Sequence, residues 1–185
     1  MSSALFSVHR HQTPGQHIRE YPGAAKHRQE HVFQLDIKQY IPIDNPRPQA
    51  GDVTIIAAHG NGFPKVDCLL CLIFARCGAI LRPNTGSLRA LMDDLLIQLK
   101  RNHIRIRGIW ITDMSHQGAS GVLNEDIQGD DRGHSPCVTE LQILTFKLAS
   151  WADHARDLLF IINQFRDQMP RPIVGIGHSM GCTSL

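Results

Sequence analysis

The chain has 185 residues, enough for one domain with a real hydrophobic core and too few for a catalytic domain with large additions. Apolar residues make up 42% and charged residues 19%, the balance of an ordinary globular domain rather than of a disordered one. Lys and Arg (19) nearly cancel Asp and Glu (17) to leave a net charge of +2, and no basic stripe is interleaved with aromatics, so a nucleic-acid partner has no electrostatic footprint.

In chain order, residues 1–30 mix His, Gln, Arg, Pro and Gly with little periodicity and are expected to form an irregular leader ahead of a domain over 31–185. Phe33, Leu35 and Ile37 alternate with polar residues as a half-buried, edge-side strand does, and Pro42, Pro46 and Pro48 end the extended segment. Val53 to Ala58 is a short apolar run that leads into His59-Gly60-Asn61-Gly62, the pattern of a buried parallel strand ending in a loop. A second such strand is expected over Ile104 to Thr112, ending at Asp113, and a third over Ile173 to Ile176, ending in Gly177-His178-Ser179-Met180-Gly181.

Helices are expected between the strands. Leu88, Leu91, Met92, Leu95, Leu96 and Leu99 form one apolar stripe, and Trp151, Ala155, Leu158, Leu159, Ile162 and Phe165 form another. Strands alternating with helices predict an α/β fold with a parallel, doubly wound sheet. In such sheets ligands bind beyond the carboxyl ends of the strands, where the three polar loops would gather. Two stretches break the rhythm and read as insertions, residues 66–85 and 133–150, the pattern that translated intron sequence would leave. The first is too short and too interrupted, by Asp67 and Arg76, to span a membrane.

Cys68, Cys71, Cys77, Cys137 and Cys182 are odd in number and follow no secretory signal, which fits reduced thiols inside a cell. Cys68-x-x-Cys71 has no second pair or His partner at finger spacing, and the histidines of the N-terminal tail lack the frame of a metalloprotease helix. No metal or other cofactor is expected.

The residues that carry chemistry are in the Gly177-x-Ser179-x-Gly181 pattern. A strand-to-helix turn tight enough to expose the Ser179 hydroxyl leaves no room for side chains at the flanking glycines. An oxyanion hole for acyl transfer would then use the backbone N–H of Met180, next to the nucleophile, and an N–H from Asn61 or Gly62 in the loop after His59. His178 lies inside the elbow and should point away from the Ser179 hydroxyl, while His116, in the loop after Asp113, is expected to be structural or to face substrate.

Gly177 to Gly181, preceded by His59-Gly60 and by Asp113-x-x-His116-x-Gly118-x-Ser120, resemble the α/β-hydrolase superfamily, and the segments Ala58 to Lys65, His116 to Glu125 and Ile173 to Gly181 carry a closer likeness. More narrowly, they are similar to a fungal branch that includes a yeast peroxisomal lipase and hydrolases of Alternaria host-selective toxin biosynthesis, the epoxy-decatrienoic acid toxins. The resemblance implies a serine hydrolase of secondary metabolism and virulence, acting on a small-molecule ester or thioester of a fatty-acyl or polyketide-like intermediate in the peroxisome. The chain departs from that pattern at two points. Thr183-Ser184-Leu185 is a poor match to a peroxisomal tripeptide of the Ser-Lys-Leu kind. In this fold the triad runs Ser, then Asp or Glu, then His, and only Cys182 to Leu185 follow the elbow, so the acid and base are expected to be missing. The alternative expectation is therefore a catalytically incomplete remnant, or pseudo-enzyme, that binds an acyl ligand or a partner.

Overall fold

The computed structural model describes residues 5–19, 24–26, 31–60, 88–129, 140–178 and 180–185, with only the backbone described over the helical residues 88–91 and 140–151. Five strands form one sheet: β1 (Phe6–Pro14), β2 (Gln34–Pro42), β3 (Val53–Ala58), β4 (Ile106–Thr112) and β5 (Ile173–Gly177). The helices are α1 (Leu88–Arg101), α2 (Gly118–Leu123), α3 (Glu140–Gln164) and the single turn α4 (Met180–Thr183).

The strand order is β1-β2-β4-β3-β5. β3 pairs in parallel with both β4 and β5, as the apolar runs predict. β2 pairs antiparallel with β4, and β1 antiparallel with β2, so the sheet is mixed rather than wholly parallel. β1 lies within the stretch expected to be irregular. Its pattern is hard to read because only Phe6 and Thr13 are buried, and the strand is an edge whose middle, including His9 and Arg10, faces solvent. It also displaces β2 from the edge position that its half-polar pattern suggests.

Both faces of the central strands are covered, which is why β3 and β4 read as continuous apolar runs rather than as alternations. Ile55, Ala57, Ile109 and Ile111 point to one face and pack with Met92 and Leu96 of α1 and with Phe6 and Tyr40. Ile56, Ala58 and Trp110 point to the other and pack with Leu35, Ile37 and with Leu158 and Ile161 of α3. The result is three layers, helix on sheet on helix.

Of the α1 stripe, Met92 and Leu96 are buried and Leu95 and Leu99 half-buried against the same cluster. α3 differs in two respects: it starts at Glu140, well inside the stretch 133–150 that reads as an insertion, and its buried face is rotated. Leu159 is 59% exposed, whereas Asp153, His154, Asp157, Leu158 and Ile161 are buried. The other insertion-like stretch, 66–85, lies outside the described residues. No helix among the described residues is long and apolar enough to cross a membrane.

Candidate active site

The parallel strands end together. β3 delivers His59 and Gly60, β4 delivers Asp113 and the loop to α2, and β5 delivers His178 and then α4. Ser179, Asn61 and Gly62 lie outside the described residues; Gly177, His178, Met180 and Gly181 are described.

The elbow glycines are explained by close approach. A Cβ on Gly177 would stand 2.6 Å from the Cys182 Cα and backbone nitrogen. A Cβ on Gly181 would be driven into the Ala58 carbonyl and would stand 2.8 Å from the His59 carbonyl oxygen. Real Cβ atoms do not come so close to backbone, so only glycine lets the turn fold back onto β3. The turn is further pinned by the His178 N–H, which donates to the Ala58 carbonyl at 3.0 Å, and by the Gly181 N–H, which donates to the His178 carbonyl at 2.8 Å. Met180 is buried at the start of α4.

His59 is wholly buried and acts as a latch between two loops. Its Nδ1 lies 2.8 Å from the Gly60 carbonyl oxygen, and its Nε2 accepts from the Met114 N–H at 3.2 Å. The Nδ1–H tautomer satisfies both contacts, and the first of them fixes the carbonyl immediately before Asn61. The Asp113 carboxylate is 3.7 Å from Nε2 and accepts from the Ala119 N–H at 2.9 Å, capping the start of α2.

The Asp113-to-Asn124 segment, which carries part of the family resemblance, is built mainly for anchoring. Gly118 has φ +55, and a Cβ there would sit 2.9 Å from Asp113 Oδ1, so glycine is required by both conformation and space. Ser120 Oγ accepts from the Asp36 N–H at 2.9 Å and donates to the Asp113 carbonyl at 3.2 Å. The Asn124 amide extends β2 as another strand would: Oδ1 accepts from the Gln34 N–H at 2.7 Å and Nδ2 donates to the Gln34 carbonyl at 2.8 Å. The carbonyls of Ser115 and Ser120 also lie 2.8 Å from Nδ2, so its two N–H groups are shared among three carbonyls. Asn124→Ala is expected to lower stability by about 2–4 kcal/mol, since the half-buried backbone groups of Gln34 and the buried Ser115 carbonyl lose this partner, as measured by urea unfolding. His116 is exposed at the rim of this segment.

A feature of the site not read from sequence lies on α3. His154 is 2% exposed, and its ring centroid is 6.0 Å from that of His59. Neither ring nitrogen has a hydrogen-bond partner among the described residues. Burial, reinforced by electrostatic repulsion from the neighbouring basic groups His59, His116 and Arg19 when they are protonated, pushes its pKa down to about 3. One turn along, Asp157 accepts two hydrogen bonds from the Arg19 guanidinium at 2.9 and 3.0 Å and a third from the Gln16 N–H at 2.8 Å. The helical spacing of 154, 157, 158 and 161 is the signal that identifies this face; apolar residues alone do not show it, because two of the four are polar.

The depressed His154 pKa has a consequence for stability. The unfolded chain takes up a proton near pH 6.5 and the folded chain does not until about pH 3, so stability is fully present above 6.5 and declines as pH falls between those values. From pH 7 to pH 5 the loss is expected to reach roughly 2 kcal/mol, at 1.36 kcal/mol per unit. His154→Leu should flatten that part of the pH–stability curve in denaturant titrations.

Among the described residues no group of three or more His, Cys, Asp or Glu could hold a metal ion, and Cys182 is an exposed free thiol.

The fold thus assembled is the α/β-hydrolase fold. The peroxisomal α/β-hydrolase Lpx1 from Saccharomyces cerevisiae superposes with a TM-score of 0.59 at 19% identity, over 96% of this chain and 38% of that one. In sequence, the chain is 41% identical over 182 residues to a protein of Penicillium brevicompactum named type I acyl-CoA thioesterase mpaH′. It is 39% identical over 181 residues to the type I acyl-CoA thioesterase mpaH of Penicillium roqueforti. Each alignment takes in 98% of this chain, which spans about a third (33%) of the length of those relatives. No family model matches the chain.

Proposed function

We propose that the chain is the nucleophile-bearing part of an acyl ester or thioester hydrolase of fungal secondary metabolism. The observation that carries this reading is the 41% identity to an acyl-CoA thioesterase over 98% of the chain. The elbow packing of Gly177 and Gly181 against the backbone of α4 and β3 supports it. In this reading the Ser179 oxygen bonds to the acyl carbon, the carbon–sulfur bond breaks, and the proton leaves with the thiol. The N–H groups of Met180 and of Asn61 or Gly62 stabilise the oxyanion, and the His59 latch holds the loop that supplies the second donor. His154 is too weak a base to serve at neutral pH, because a working general base titrates near the operating pH.

The finer assignment rests on the resemblance to the toxin-cluster hydrolases. The acyl chain is fatty-acyl or polyketide-like, the pathway is that of a host-selective toxin, and the location is the peroxisome. The test is a single turnover with octanoyl-CoA. Release of free CoA in proportion to the chain, with the octanoyl mass on the protein, is the expected result. CoA release no faster than in buffer overturns the reading, and saturable binding without release establishes the pseudo-enzyme alternative in its place.

A further inference from the structure

Among the described residues, His154 is a buried side chain with both ring nitrogens unpaired. A buried polar side chain is nearly always hydrogen-bonded, and an unpaired one is costly. Here Nδ1 and Nε2 of His154 are unpaired among the described residues, as is Nε of Arg19, whose other nitrogens are held by Asp157 on the next turn of α3. His154 and Asp157 are three residues apart on the sheet-facing side of α3, so their side chains are neighbours. α3 also packs against α4, the turn that follows Ser179, and the His154 ring faces His59 at the carboxyl end of β3. The His154 ring therefore lies toward the carboxyl end of the sheet, the end at which ligands of such sheets bind.

We propose that His154 is a specificity-determining residue, whose ring N–H donates a hydrogen bond to an uncharged oxygen, such as a keto or hydroxyl group, on the acyl chain of the substrate. This rests on the acyl-hydrolase reading above and adds to it the kind of acyl chain accepted. The electrostatics select a neutral oxygen. Among the described residues the Arg19 charge is already matched by Asp157 at 2.9 Å and that of Arg156 by Asp153 at 3.1 Å, and Asp113 is buried nearby, so a carboxylate or phosphate at the His154 ring would meet carboxylates and no unmatched cation. A neutral imidazole offers one donor and one acceptor, which suits a keto oxygen or a hydroxyl and wastes its capacity on a plain alkyl chain. Sites built to hydrogen-bond an oxygen reject the analogue lacking it, because their polar groups are then left unpaired.

The test uses S-octyl coenzyme A and its positional oxo isomers, with binding to the whole chain measured by calorimetry. At least one oxo isomer is expected to bind about tenfold more tightly than the plain analogue, the size of one net hydrogen bond. His154→Leu is expected to bring that ratio to about one, whatever its effect on overall affinity, and His154→Gln to keep part of it. A second readout needs no substitution: with ¹⁵N-labelled histidine, the His154 ring nitrogens shift on addition of the preferred oxo isomer and stay in place with the plain one. Equal binding of all the analogues, a ratio that survives in His154→Leu, or unmoved ring resonances overturns this proposal alone. Failure of every analogue to bind overturns the acyl reading beneath it as well.

Discussion

Replacing Arg19 by methionine is expected to destabilise the chain by about 3–5 kcal/mol, because it leaves the Asp157 carboxylate buried with its charge uncompensated. The pair is sealed from water, with the Arg19 and Asp157 side chains 5% and 1% exposed. The guanidinium also lies 4.9 Å from the centroid of the Phe33 ring, so methionine loses a cation–π contact in addition to the ion pair. In a domain of this size the change corresponds to a fall in melting temperature of roughly 10 °C, readable by calorimetry. Arg19→Met combined with Asp157→Leu should recover most of the loss, since removing both charges is far cheaper than stranding one. Two single losses that simply add in the double variant would mean that the residues do not act as a pair. The pair also ties the segment after β1 to α3, so its loss should loosen the face that carries His154.

Gly181→Ala is expected to slow covalent labelling at the elbow by at least about a hundredfold, the scale of losing one oxyanion donor. The added methyl group would be forced into the carbonyls of Ala58 and His59, so the start of α4 must move off β3 and take the Met180 N–H with it. Ala58 is at the end of a strand paired on both sides, and its backbone cannot yield. Far-UV circular dichroism should be little changed, while labelling by a fluorophosphonate probe falls; a normal labelling rate would show that the glycine is not required for the approach.

The central strands were legible because burial on both faces imposes uninterrupted apolar runs; Val53 to Ala58 matches its strand, and the strand expected from Ile104 begins at Ile106, since Ile104 is exposed. The need for glycine at 177 and 181 was legible because both positions answer to backbone contact, which side-chain chemistry cannot replace. β1 was not, since a strand that buries only Phe6 and Thr13 carries almost no periodicity, and its pairing with β2 is decided by backbone hydrogen bonds. The inner face of α3 was misjudged for a related reason: Leu159 looks like core and is exposed, while His154 and Asp157 look like surface and are buried. Tertiary partners decide those positions, above all Arg19, which is 138 residues away from Asp157 in sequence. The Asp113, Gly118, Ser120 and Asn124 pattern was visible as a resemblance, but its anchoring of α2 to β2 appears only once the strands are assembled.

The account depends most on Ser179 being the nucleophile. The direct measurement is peptide mass spectrometry after reaction with a fluorophosphonate probe, run on the chain and on Ser179→Ala. A single adduct on the peptide containing Ser179, absent from the alanine variant, is the predicted result. An adduct on another residue, or equal labelling of the variant, would contradict the account.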